Sequence, residues 1–133
     1  MAFSEHFSDT ELCCPHCSVN GCQQELVDAL EALRAFVKLP IQILSGYRCP
    51  IHNAAIGGAK NSQHMMGNAA DIKIAGMSAA EIERAARNID NIEGIGRNDY
   101  EGWVHVDVRE KPSRWCYNEQ RKEIAYYPAT ALA

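Results

Sequence analysis

The seven-residue run "WVHVDVR", residues 103–109, constrains the fold more than any other stretch of the chain. Trp103, His105, Asp107 and Arg109 fall on one face and Val104, Val106 and Val108 on the other. Successive side chains of a strand point to opposite sides, so an unbroken two-residue period predicts a β-strand. The valine face is the core face, and the polar face is expected to be free for function.

Other segments fall into place around this strand. "ADIKI", residues 70–74, alternates in the same way, with Asp71 and Lys73 on one face and Ile72 and Ile74 on the other. "IQILSG" reads as a short strand ended by a Ser-Gly break. "IEGIGR", residues 92–97, reads as an edge or short strand interrupted by glycines. Past Pro112 only "EIAYY" suggests a strand.

Helical signals are equally local. Leu26, Leu30, Leu33 and Val37 recur at helical spacing from Gln24 to about Val37, and Pro40 closes the segment. Ser8 with Glu11, and Ser78 with Glu81, are capping boxes, the second opening a helix with Ile82, Ala85, Ala86 and Ile89 on its apolar stripe. "PIHNAAIGG" suggests one or two turns entered at Pro50 and stopped by Gly57 and Gly58. No repeat or linker divides the 133 residues. The expectation is a single α+β domain over residues 1–133, with a small, mainly antiparallel sheet flanked by helices.

A net charge of -4 and a pI near 5.7 leave no basic field for phosphates, which argues against nucleic acid as a partner. No window approaches the roughly 18 consecutive apolar residues of a membrane helix. "MAFSEHFSDTEL" has no signal-peptide run, so synthesis in the cytosol without an export signal is expected.

If "ADIKI" and "WVHVDVR" are neighbours at the ~4.8 Å spacing of paired strands, Asp71 and His105 can converge. His64 lies seven residues before Asp71, with Gly67 between them to let the loop fold back. Three nitrogen and oxygen donors without a fourth suit a catalytic zinc, which keeps a position for water.

The six cysteines are Cys13, Cys14, Cys17, Cys22, Cys49 and Cys116. Without an export signal they read as thiols or metal ligands rather than a disulfide framework. "CPHC" is similar to the motif of thiol-disulfide oxidoreductases, but that motif opens a helix after a strand, and only about a dozen residues precede Cys14 here. A structural zinc on Cys14, Cys17 and Cys22, completed by Cys13, His16 or Cys49, is more credible than redox chemistry. Unligated thiols, or a disulfide formed after release into an oxidising medium, are the alternatives.

"SQHMMGNAAD" fits S-x-H-x-x-G-x-A-x-D through Ser62, His64, Gly67, Ala69 and Asp71. With "SGYRCPIHNAAIGG" upstream and "WVHVD" downstream, the chain resembles the zinc D-Ala-D-Ala carboxypeptidase family and its relatives, including the L-alanyl-D-glutamate endopeptidases of phage endolysins. The resemblance runs from about Phe7 to Trp115. It implies that His64, Asp71 and His105 are the zinc ligands, that Arg48 steadies the substrate and the developing oxyanion, and that Ser62 lies near the substrate's carboxylate end. It further implies attack of a zinc-bound water on a peptide bond of peptidoglycan stem peptides.

One position departs from the family pattern. Several branches carry an acidic general base three residues before the last histidine, where this chain has Gly102. Glu101 and Asp107 remain, both on the face of His105. Asp107 is preferred because it sits inside the regular strand, with orientation of a ligand histidine as its alternative role. Met65 and Met66 are expected beneath the site and His52 on a helix face. Trp103 is expected on a substrate groove, with Trp115 and Tyr117 in groove or core. The protein is expected to be a monomer that reaches the cell wall after release, as a phage or prophage lysin would. The alternatives are a cytosolic dipeptidase of the same family, a non-catalytic zinc-containing module that binds the wall or a partner, and a virion structural protein. Which stem-peptide bond is cut depends on the loops "KNSQ" and "NDYEG".

Overall fold

The alternating run becomes strand β4, Trp103–Asp107, near the middle of a six-stranded sheet in a computed structural model that describes residues 4–129. The other strands are β1 (Gln42–Ser45), β2 (Ala69–Lys73), β3 (Gly94–Asn98), β5 (Ser113–Tyr117) and β6 (Glu123–Ala125), in the order β1-β2-β4-β3-β5-β6. Every pairing is antiparallel except that of β3 with β5. Helices α1 (Asp9–Leu12), α2 (Gln24–Val37), α3 (Pro50–Ala55) and α4 (Ala79–Ala86) complete a single α+β domain. Ser8 and Ser78 form the expected capping boxes at α1 and α4.

One hydrophobic cluster joins sheet and helices. Ile72, Ile95, Val104 and Val106 from the sheet pack with Leu26, Leu30 and Leu33 of α2 and Ile82 and Ala86 of α4. Val104 and Val106 are fully buried, so the valine face is the core face. Among the described residues no helix is long and apolar enough to cross a membrane.

Three features differ from the sequence reading. β3 is not an edge: it lies between β4 and β5, and all five of its residues are buried. Its glycines are there for space, since a Cβ on Gly94 would stand 2.1 Å from the Asp107 carboxylate and one on Gly96 would stand 2.4 Å from the Trp115 indole. β5 follows Pro112 unannounced, and of "EIAYY" only the first three residues are strand. The polar face of β4 is less open than expected: Trp103, His105 and Arg109 border a cavity, but His105 is 6% and Asp107 0% exposed. Trp115 of β5 supplies part of the cover, its ring 5.1 Å from that of His105.

On the other flank of β3, Arg97 is fully buried. Its guanidinium donates to Glu83 of α4 at 2.7 Å, to Asp99 at 2.9 Å and to the Tyr127 carbonyl at 2.7 Å. A charge taken out of water is tolerated only when so paired.

Candidate metal centre

The register of β2 against β4 places Asp71 directly opposite His105. His64 reaches the same point from the loop before β2, where Gly67 adopts a left-handed φ of 75° and the chain folds back. Asp71 Oδ1 lies 3.2 Å from His64 Nε2 and 3.2 Å from His105 Nδ1. Zinc held at about 2.0–2.2 Å by nitrogen and oxygen in a tetrahedron separates its donors by about 3.3–3.5 Å, so the two measured edges fit such an ion. The three side chains are buried and can hold a metal ion.

Each imidazole is fixed from behind. His64 Nδ1 lies 2.8 Å from the Gly46 carbonyl, which can only accept, so Nδ1 donates there and Nε2 faces the centre. His105 presents Nε2 to Asp107 Oδ2 at 2.7 Å and turns Nδ1 toward Asp71. Arg109 closes this chain, donating from Nε to Asp107 Oδ1 at 2.8 Å and from a terminal nitrogen to Oδ2 at 2.7 Å. Partners of this kind set the tautomer and direction of a ligand histidine.

The charges follow from these contacts. Burial would raise the Asp71 carboxyl, but His64 and His105 outweigh it and hold the group well below the usual carboxylate range. Burial would lower His105, yet Asp107 and Asp71 on its two sides raise it to about 9. Asp107 is likewise pushed up by burial and brought well below the ordinary range by Arg109 and His105.

A cavity of about 790 Å³ opens over the cluster. Arg48 and Ser62 line it with His64, Asp71 and His105. Arg48 donates to Asp71 Oδ2 at 3.0 Å, to Asn53 Oδ1 at 3.3 Å and to Ser45 Oγ at 3.1 Å. Ser62 Oγ accepts the His64 amide at 3.1 Å. Trp103, Trp115 and Tyr117 all line the cavity, with Glu101, Arg109, Arg121 and Lys122 around them. Glu101 accepts from the Trp103 indole at 2.9 Å and from Arg121 at 2.6 Å. Asp107 is absent from the cavity wall, both its oxygens being engaged behind His105.

Asn53, Arg109 and Arg121 were not singled out by the sequence. The alternation of β4 did place Arg109 on the face of His105, which was the one available signal. His52 on α3 is outside the cavity lining. Met66 is exposed, at 48%, rather than packed beneath the site.

The cysteines form a second group with a different membership from the one expected. Cys14 and Cys17 are joined by Cys49, their sulfurs all within 4.8 Å of one another. Cys22 stands apart, buried, with its thiol 3.7 Å from the Leu12 carbonyl. The C-x-x-C spacing was legible in the sequence, but the third sulfur was the one brought in by tertiary structure rather than the nearest along the chain.

A family model described as Peptidase M15 matches residues 5–107, a span that includes all three members of the His-Asp-His cluster. The zinc D-Ala-D-Ala carboxypeptidase of Streptomyces albus G is 36% identical over 80 residues, covering 58% of this chain and 31% of that protein. The probable peptidoglycan L,D-endopeptidase MepK of Haemophilus influenzae is 35% identical over 73 residues, 51% of this chain and 39% of its own. The peptidoglycan L,D-endopeptidase MepK of Escherichia coli K12 is 33% identical over 90 residues, 62% of this chain and 49% of its own. The matched region spans about a third to a half of the length of these relatives.

Proposed function

The chain belongs to the peptidase M15 family, and from that premise we propose that it is a zinc metallopeptidase hydrolysing peptide bonds in peptidoglycan stem peptides. The observation that carries this reading is the convergence of His64 Nε2, Asp71 Oδ1 and His105 Nδ1 at the wall of an open cavity. A zinc ion held there supplies a Lewis acid for a peptide carbonyl and a lowered pKa for water.

The remaining steps fall to this chain's own groups. Arg48 spends three of its five N–H donors on Asp71, Asn53 and Ser45, which fixes the fork and leaves two donors for an oxyanion or carboxylate in the cavity. Ser62 keeps its proposed place near the substrate's carboxylate end. Trp103, Trp115 and Tyr117 offer flat surfaces for a peptide, while Arg109, Arg121 and Lys122 suit a substrate with free carboxylates.

Proton transfer is assigned to Glu101 rather than to Asp107. Asp107 is fully buried behind His105, whereas Glu101, held by Trp103 and Arg121, lines the cavity and is the carboxylate that a substrate there can meet. Asp107 then has the positioning role, holding His105 with Nδ1 forward. The proposed site of action is the cell wall, as for a phage or prophage lysin.

The test is to incubate zinc-loaded protein with defined muropeptides, both pentapeptide monomers and cross-linked dimers, and to identify products by mass spectrometry. Loss of a terminal D-Ala from pentapeptides would identify a carboxypeptidase, and a cut within the stem or bridge an endopeptidase. Intact muropeptides that nonetheless bind the loaded protein would replace this reading with that of a wall-binding module.

A further inference from the structure

We propose that Cys14, Cys17 and Cys49, with His16 as fourth donor, form a second metal centre, a closed structural site for a thiophilic divalent ion such as zinc. The proposal is independent of the peptidase reading, since none of these four residues lines the cavity.

The geometry is that of a site already shaped. The three sulfurs lie within 4.8 Å of one another, and His16 Nδ1 stands 3.4 Å from Cys49 Sγ. With Zn–S near 2.3 Å and Zn–N near 2.0 Å, tetrahedral donors are separated by about 3.5–3.8 Å, so the three sulfurs are close enough to draw in around one ion, while His16, which meets only Cys49, has to swing toward Cys14 and Cys17 to complete the set. Cys14 and Cys17 sit on one tight turn, closed by Cys14 N–H to the Val19 carbonyl at 2.8 Å and Ser18 N–H to the Cys14 carbonyl at 2.7 Å. Ser18 adopts a left-handed φ of 61° to complete it.

The sulfurs are also surrounded by donors. Cys14 Sγ accepts the Cys49 amide at 3.4 Å and is faced by the amides of His16 and Cys17. Cys17 Sγ is faced by the amide of Val19, and Cys49 Sγ accepts that of His52 at 3.4 Å. At Cys14 burial is outweighed by the amides, which favour the thiolate a metal requires. At Cys17 the Val19 amide is outweighed by burial and the neighbouring Cys14 and Cys49 sulfurs, which raise the thiol, a crowding of sulfurs that a bound cation would relieve. Buried or surface thiols without a metal need no such shell. A redox pair fits poorly, because the C-x-x-C turn is joined by a third sulfur and opens no helix.

The centre would fasten a loop without helix or strand to the segment carrying the substrate-binding arginine. Cys49 caps α3 and directly follows Arg48, so a metal here holds the backbone from which Arg48 reaches Asp71. Binding would release the thiol protons to solvent, with no change of oxidation state.

Metal content and cobalt spectra of the purified full chain test this. Wild type should hold two zinc ions, and Cys49→Ser one, which it shares with a Cys22→Ala, Cys49→Ser double variant. His64→Ala should also keep one, and Cys22→Ala both. Cobalt-substituted His64→Ala should show a sulfur-to-cobalt charge-transfer band, absent in wild type pretreated with an organomercurial, a control that needs no folding of a variant. A single zinc in wild type, lost in His64→Ala and untouched by organomercurial, would overturn the proposal. So would a disulfide joining two of the three cysteines in protein purified under reducing conditions.

Discussion

Asp71 and His105 face each other across neighbouring antiparallel strands, and the carboxylate Oδ1 lies 3.2 Å from the imidazole Nδ1. The same oxygen is 3.2 Å from His64 Nε2, while the second oxygen takes Arg48 at 3.0 Å. One carboxylate therefore organises the whole centre. A register slip of one residue would turn the entire polar set of a strand to the other face, so the hydrophobic pairing of Ile72 with Val104 also fixes the geometry of the donors.

Asp107 and Glu101 should separate cleanly in mutants. Asp107→Asn removes the charge behind His105, and zinc affinity measured by chelator competition is expected to fall about 10–100-fold. Glu101→Gln should leave zinc affinity unchanged and lower kcat by about 10²–10⁴. The opposite pattern would return the proton-transfer role to Asp107.

Gly94→Ala tests how closely the sheet fits its buried carboxylate. The added methyl would stand 2.1 Å from Asp107, so strand or side chain must shift. A loss of about 1–3 kcal/mol in denaturant unfolding is expected, together with weaker zinc binding than wild type.

The pH dependence of the metal-free protein follows from His105. Its folded pKa of about 9 exceeds the unfolded value of about 6.5. Its contribution to stability is thus complete below about pH 6.5 and is lost as pH rises through about 9. Thermal melts of chelator-stripped protein should show Tm falling across that window. In Cys49→Ser, which keeps only the His-Asp-His site, zinc loading at pH 7.5 should release about one proton from this ring, read by calorimetry in buffers of different ionisation enthalpy.

Arg97→Met should be among the most destabilising single changes. It leaves Glu83 buried without its cation, at a cost of about 3–5 kcal/mol. Pairing it with Glu83→Met should restore part of the loss, measured as a double-mutant cycle by urea unfolding.

The parts of this fold legible in the sequence are those written in local patterns. Both capping boxes, the α2 stripe and the alternation of β2 and β4 needed only a few neighbouring residues. That alternation also put Asp71 and His105 on corresponding faces, so their meeting required only that the two strands pair. β5 escaped because Ser113, Arg114, Trp115, Cys116 and Tyr117 show no two-residue period, and its partner β3 is defined by tertiary packing. Missing β5 in turn hid the burial of the β4 polar face, since Trp115 helps to cover it. The glycines of β3 read as interruptions, whereas Gly94 and Gly96 make room for Asp107 and Trp115. Cys49 was hard to choose over Cys22 for the same reason: proximity in the fold outranks proximity along the chain.

The most direct test is the rate of muropeptide hydrolysis by wild type and His64→Ala, each stripped with chelator and then titrated with zinc. Wild type should lose activity on stripping and regain it with zinc, and His64→Ala should stay inactive throughout. Hydrolysis that survives stripping, or that His64→Ala retains, would contradict a catalytic zinc on His64, Asp71 and His105.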